Sequence, residues 1–365
     1  MKRLLTLAAA GAMLAVSTQA LALDINSRAE IENLRSRLDT LEARAAKEDH
    51  LAIFSLNKKI TFHGALEAEA YYSKQENSPS ESDIILDTAS FGFQADVNDQ
   101  VHGHLTFLYE EDKTPLGVDE GFISVDLKHM GPGHAKLVAG QFYLPFGNFD
   151  SEMVTDPVTL DLGESDRTAI MAQYELGPVE VALAGFNGDF DPDGKNNVID
   201  GVVAAVSASP IKPLELGVSY ISDLAETDIE LIKGNSYAKS VDGISAHAVL
   251  NLGPVTLSGE YLSALKSFAA GEVSAAIAAS GELSGERPQA FFLEARGEIG
   301  ENLSYAVRYE NSDDFEDDLR RYGATCSWSF AENTSLSLEY LYSDAGDDPA
   351  TNTSHTVTAQ LAIEW

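Results

Sequence analysis

Six carboxylates crowd the segment from Pro145 to Arg167, which reads PFGNFDSEMVTDPVTLDLGESDR: Asp150, Glu152, Asp156, Asp161, Glu164 and Asp166. Three arginines, Arg296, Arg308 and Arg321, recur much later, one in each of three successive extended segments. Neither set comes with a motif for nucleophilic or acid–base work. The chemistry they offer is electrostatic. Acid on one side of a water-filled gap and arginine on the other set up a transverse field that orients dipoles and sorts ions. The plainer reading is that these charges solvate a wide aqueous interior.

A second acidic stretch carries a sharper spacing. Asp189-x-Asp191-x-Asp193-Gly194 is followed by Asn197 and Asp200. Oxygen ligands at these offsets, with a glycine at the sharp turn, match the loop that wraps a calcium ion. It departs from that loop at its last position, Asp in place of the bidentate Glu, and extended segments rather than helices flank it. Calcium at residues 189–200 is therefore an expectation, and no other cofactor is expected. His63, His102 and His104 share a face with Glu67 and Asp96, which makes them a candidate ligand or metal group, although solvated histidines with no such role are commoner. No G-x-S-x-G, H-E-x-x-H or paired-cysteine pattern occurs, so catalysis is not expected. Cys326 is the only cysteine and has no internal partner.

The elements that must position these residues are extended. From Ile60 onward, apolar and polar residues alternate with a period of two. Gly64, Leu66, Ala68 and Ala70 oppose His63, Glu67 and Glu69; Leu336, Leu338, Tyr340 and Tyr342 behave alike near the end. The last segment places Val357, Ala359, Leu361, Ile363 and terminal Trp365 on one face. One face in lipid and one in water is the pattern of a transmembrane β-barrel wall. A terminal aromatic suits barrel assembly, and tyrosines near segment ends suit an interfacial girdle. A soluble β-sandwich or β-helix explains neither.

Tight turns near 97–99, 131–133, 176–178, 210–213, 252–254, 300–302 and 331–333 alternate with longer polar stretches near 73–83, 111–117, 145–167, 188–197, 223–240, 265–287, 311–320 and 344–353. Seven turns and eight loops predict an all-β antiparallel barrel of about sixteen strands, a size that leaves an aqueous channel. The acidic 145–167 segment is the third long loop, which in general porins folds inward and narrows the pore.

The N-terminus fits export. Lys2 and Arg3 precede an apolar run from Leu4 to Val16 and an Ala20-Leu21-Ala22 cleavage site, so residues 1–22 read as a signal peptide. No stretch is long and apolar enough for a membrane-spanning helix. Within residues 23–50, Ile31, Leu34, Leu38, Leu41 and Ala45 form a short heptad seam, with residues 51–59 as a linker to a barrel over 60–365. The seam predicts a periplasmic homotrimer stub through residues 31–45; the alternative is a single amphipathic helix at the barrel mouth. Net charge is −34, which repels nucleic acid and attracts cations. The partners expected are outer-membrane lipid, lipopolysaccharide and small solutes.

Gly140-Gln-Phe-Tyr-Leu-Pro-Phe-Gly147, then Asp156-Pro157 and Leu160-Asp-Leu-Gly-Glu164, resembles the LbtU-type siderophore porin family. The likeness covers essentially the whole mature chain, with the G-Q-x-x-x-P-F-G string its most specific part. It implies outer-membrane uptake of a ferric siderophore without the plug domain of TonB-dependent receptors. Two other readings stand beside it: a general cation-preferring porin, and a barrel-anchored adhesin with calcium-stiffened loops.

Overall fold

The computed structural model describes residues 59–365 apart from 77, 128–130, 193–197, 230, 233–235, 270–271, 275–285, 317 and 347–352. The expected signal peptide and heptad seam lie outside the described residues. The strands are β1 (Ile60–Gln75), β2 (Ser80–Asp96), β3 (Val101–Glu110), β4 (Thr114–Leu127), β5 (His134–Tyr143), β6 (Asp166–Leu176), β7 (Val179–Phe186), β8 (Asp191–Pro192), β9 (Gly201–Ile211), β10 (Leu214–Ile221), β11 (Ser236–Tyr237), β12 (Gly243–Asn251), β13 (Val255–Ala264), β14 (Gln289–Ile299), β15 (Leu303–Asp313), β16 (Leu319–Ala331), β17 (Thr334–Ala345) and β18 (Thr353–Glu364). A short helix, α1 (Val158–Gly163), interrupts the third long loop.

Two-residue strands β8 and β11 pair with each other; the other sixteen close into an antiparallel barrel. The seam joins β1 to β18 from Ala65↔Glu364 to Gln75↔Ser354. Trp365 and Gly64 extend it by exchanging backbone hydrogen bonds of 3.1 Å in both directions. Closure removes every free edge, the condition for a β-structure to sit in lipid. All seven expected turns fall at strand junctions.

The alternation resolves into two surfaces. Leu336, Leu338 and Tyr340 of β17 face outward, while Ser337 and Glu339 are buried inward. Val181, Leu183, Val206, Val218, Leu257, Leu293, Val307 and Trp328 continue the apolar outer belt, and Cys326 is exposed on the same face. Leu338 is 58% exposed and Glu339 1%, the reverse of a soluble protein's order and the expected order for a wall in lipid.

Inside, the expected polar lining fails along one arc. Val138, Phe142, Ala169, Met171, Ala184, Phe186 and Val203 point inward and are buried. They pack against Leu144, Phe146, Val158 and Leu162 of the third long loop, and against Leu224, Leu231 and Tyr237 between β10 and β12. Loops folded into the barrel cover this arc with their own apolar side chains, so its inner residues meet protein instead of water.

The G-Q-x-x-x-P-F-G string has a backbone reason. Gly140 in β5 has φ +144°, and a Cβ there would lie 2.2 Å from the Gly121 carbonyl oxygen and 2.5 Å from the Phe122 Cα. Only glycine combines that conformation with so close an approach to β4. Gly140→Ala is expected to cost about 1–3 kcal/mol in backbone strain alone. Refolding yield, read as the heat-modifiable band on a gel, should drop sharply, whereas Ala139→Gly on the outer face should leave it close to wild type.

Candidate functional site: the loop across the lumen

The third long loop leaves β5 at Leu144, whose N–H donates to the Ser165 carbonyl at 2.8 Å and closes the loop's neck. It then crosses the barrel interior along a row of acceptors on the far wall. Gly147 N–H donates to Ser219 Oγ on β10 at 2.9 Å. Asn148 and Phe149 N–H groups donate to the two oxygens of Glu260 on β13 at 2.8 and 3.0 Å. Ser151 Oγ and Glu152 N–H donate to Glu294 on β14 at 2.6 and 3.0 Å. Val154 and Thr155 reach Glu339 on β17, Val154 N–H at 2.7 Å and the Thr155 hydroxyl at 2.6 Å. Val158 N–H, at the start of α1, donates to Glu310 on β15 at 2.7 Å.

All four glutamates are almost wholly buried. A carboxylate that accepts several N–H bonds both satisfies a loop with no sheet partner and carries a charge that needs neutralising. Arg308, 3% exposed between them, does so. Its Nε stands 3.2 Å from Glu310, and one terminal nitrogen stands 3.9 Å from Glu294. The guanidinium also donates to Ser151 Oγ at 2.6 Å and to the carbonyls of Thr155 and Asp156 at 2.7 and 3.0 Å. Arg296 pairs with Asp150 in a very short contact. Arg321 lies 3.5 Å from Glu310 and 3.8 Å from Glu316.

The three arginines therefore sit behind the loop, on the wall that holds it. Asp150 is paired there, and Glu152 accepts from Ser304 Oγ at 2.7 Å. Asp166 opens β6 and accepts from Gln141 at 2.6 Å. Asp156 and Glu164 are the loop acids left for the open side, whereas Asp161, on α1, lies toward Glu316 and Arg321 on the holding wall. An arrangement of loop acids facing free arginines across the gap is not what forms.

The open side is also acidic. Asp156 is accessible to lumen water, yet it lies deep among protein groups, and the charges of Lys113, Asp87 and Glu110 act on it. Burial pushes its carboxyl up, against the pull of Lys113 and Arg308. Burial, helped by Glu316 and opposed by Arg321, pushes Asp161 up to about 7. Burial together with Asp228, Asp156 and Asp119 pushes Glu164 up to about 7. Glu67, Glu69 and Glu120 line the facing strands at half-buried positions. Lys113 brings a cation to this gap, 3.2 Å from Asp87.

Two acids of these strands sit at β-bulges, Asp87 beside Lys113 and Asp119 accepting from the Tyr143 hydroxyl at 2.7 Å. Between β1 and β2 the register passes from Glu67↔Thr88 to Ala68↔Leu86 and leaves Asp87 as the extra residue. Between β3 and β4 it passes from Thr106↔Glu120 to Phe107↔Val118 and leaves Asp119. A bulge re-aims a side chain that strict alternation would place elsewhere. Strict alternation also hides the roles of Glu260, Glu294, Glu310 and Glu339. Each is readable as an inward glutamate, but only the path of the loop shows what it holds.

The calcium expectation at residues 189–200 falls in part outside the described residues, which leave out 193–197. Asp189 and Asp200 are described, and the Asp189 N–H donates to Glu226 at 2.8 Å.

No model of a known protein family matches the chain. A UPF0422 protein of Coxiella burnetii is 27% identical over 252 residues, covering 65% of this chain and 52% of that protein. A UPF0422 protein of Legionella pneumophila, strain Philadelphia 1, is 23% identical over 273 residues, covering 66% and 49%. The chain spans about half the length of the curated relatives it matches. Among solved structures, the outer membrane channel DcaP of Acinetobacter baumannii superposes with a TM-score of 0.61 at 13% identity, over 84% of this chain and 97% of that one. OmpF of Salmonella typhi, solved with daunomycin, gives 0.62 at 10% identity over 84% and 97%. OprB of Pseudomonas putida gives 0.59 at 10% identity over 85% and 95%. At such identities the likeness is one of fold. It agrees with the lipid-facing belt: the chain is an outer-membrane β-barrel of the porin type.

Proposed function

We propose that this barrel is a passive channel for small solutes, with a narrowing that favours cationic and neutral species over anions. The observation that carries this reading is the gap between the loop-three acids Asp156 and Glu164 and the acidic wall of β1–β4. A solute in that gap meets carboxylates on both sides while the arginines are occupied behind the loop. Focused negative potential in a narrow, protein-walled opening raises the local concentration of cations and excludes anions.

The resemblance to siderophore porins supports a finer reading, uptake of a ferric siderophore. The acidic gap limits which complexes suit it: neutral or positively charged ones pass, and anionic ones are repelled. Self-association through residues 31–45 and calcium held by residues 189–200 complete the proposal on sequence grounds. The adhesin reading requires a barrel with no conducting path.

Single-channel recording of the refolded protein under a potassium chloride gradient tests the proposal. Stepwise current with a reversal potential of cation-selective sign is expected. Correctly folded protein that carries no current would overturn the channel reading and favour the anchored adhesin. Adding neutral and anionic ferric siderophores in turn tests the finer reading: saturable block by the neutral complex alone is expected.

A further inference from the structure

A row of polar and aromatic side chains crosses the outer face where the barrel closes. Tyr322 on β16 pairs in register with Tyr342 on β17, Tyr342 with His355 on β18, and His355 with Lys74 on β1. Directly opposed residues of an antiparallel sheet share a face. That face is the lipid side: Tyr322 and Tyr340 are 51% and 44% exposed, whereas Leu341 between Tyr340 and Tyr342 is buried inward. His355 and Lys74 are exposed as well. Each member of the row stands near the long-loop end of its strand. Long loops mark the extracellular side of such barrels, so the row lies at the outer interface of the membrane. Its rings are in contact, with centroids 6.2 Å apart for Tyr322 and Tyr342 and 5.2 Å for Tyr342 and His355. The Tyr340 hydroxyl lies 2.7 Å from His355 Nδ1, which leaves Nε2 as that ring's other polar atom. Arg320 is two residues before Tyr322 on the same face; it is exposed and forms no hydrogen bond or ion pair among the described residues. Asp344 opposes it in register without pairing with it. Lys74 donates to the Ser78 carbonyl and keeps two further protons. A chain with 58 acidic against 24 basic residues therefore turns two cations and a histidine outward in one sector of its rim.

We propose that this sector binds one lipid A headgroup of the outer leaflet, with Arg320 and Lys74 each holding a phosphate and His355 and the tyrosines meeting the sugar between them. Arginine matches phosphate with a planar fork, and lysine meets it as a point charge. Three strand spacings of about 4.8 Å separate β16 from β1, so the two cations leave the wall roughly 15 Å apart. Only a headgroup with two separated anionic groups engages both. A disaccharide with a phosphate at each end is such a headgroup, and a glycerophospholipid with one phosphate is not. Tyrosine rings sit well at headgroup depth, apolar body toward the chains and hydroxyl toward water. Below the row, Leu338, Val357 and Leu361 give the acyl chains an apolar wall. The site does not depend on conduction, because binding needs only the folded barrel.

Native mass spectrometry of the refolded barrel in detergent, titrated with lipid A, tests it. Saturable binding of one lipid A per barrel is expected. Affinity should fall about fivefold in Arg320→Gln and in Lys74→Gln, and about twenty-fivefold in the double variant, the effect of removing one and two surface cations from an anionic headgroup. Lys136→Gln is the control: it removes a cation from the lumen side of β5 and should leave lipid A affinity unchanged. Phosphatidylglycerol, with a single phosphate, should bind weakly and without fixed stoichiometry. The heat-modifiable band confirms that each variant is folded. Lipid A affinity that survives in the folded double variant would overturn the proposal, as would an equal loss in Lys136→Gln or equal binding of phosphatidylglycerol. Oligomers in the wild type that become monomers in the double variant would also overturn it, since the face would then be an interface between copies of the chain.

Discussion

Arg308→Ala is expected to convert a narrowed, quiet channel into a wider and noisier one. Arg308 holds the loop tip directly through Ser151 and the carbonyls of Thr155 and Asp156. It also stands between Glu294 and Glu310, which hold the loop through Ser151, Glu152 and Val158. Its removal strips three donor contacts from the loop and leaves two buried carboxylates without this partner. Breaking a buried pair in this way costs on the order of 3–5 kcal/mol, because the surviving charge stays desolvated. Relief comes when the loop lifts and water enters. Open-channel conductance should rise, its fluctuation should grow, and loss of the folded gel band should occur at lower temperature. Glu339→Gln is the milder comparison. Its amide oxygen still accepts from Val154 and Thr155, so the loss is about 1 kcal/mol. Unchanged conductance in Arg308→Ala would mean that Glu260 and the apolar packing of Phe146, Val158 and Leu162 hold the loop unaided.

The barrel was legible because each strand states its own two faces. Outward positions in Leu336-Leu338-Tyr340 or Val357-Ala359-Leu361 must be apolar whatever the partner strand, and turns such as Gly253-Pro254 or Glu332-Asn333 punctuate them locally. The importance of the third long loop was legible from its length and its acids. Its path was not, because a loop with no periodicity says nothing about which wall it will follow. Alternation showed that Arg308 points inward, but not that Glu294 and Glu310 flank it or that a loop would seal it from water. The apolar inward residues Phe142, Met171 and Val203 break the expected pattern for the same reason: their partners are loop residues far away in sequence. Asp87 needed a bulge to reach the open side, and an extra residue within a strand is invisible to a period-two reading.

Cation preference is expected to rise with pH, with a midpoint near neutrality. Asp161 and Glu164 ordinarily titrate at 3.8 and 4.5, and burial in the loop pushes both up to about 7. At pH 5 both are neutral, and the gap relies on the other acids of the loop and wall. At pH 8.5 both are charged: Glu164 adds a negative charge to the gap, and Asp161 adds one on the same loop, nearer Arg321. The potassium-to-chloride permeability ratio, taken from reversal potentials, should therefore climb between about pH 6 and pH 8, the range in which a group titrating near 7 changes charge. Low salt makes the effect larger, since the screening length is about 10 Å at 0.1 M and only about 3 Å at 1 M. The same shifts set the sign for stability. A carboxyl whose folded value lies above its unfolded one stabilises the fold most below the unfolded value, and that contribution is lost as pH rises through the folded value. Asp161 and Glu164 therefore favour the folded loop most in acid, and their contribution fades as pH rises through about 7. In the double variant Asp161→Asn, Glu164→Gln the permeability ratio should be lower at pH 8.5 and nearly flat across this range. A flat wild-type profile would show that lumen water keeps both groups ionised throughout, and the gap would then be wider than the loop's path across the lumen implies.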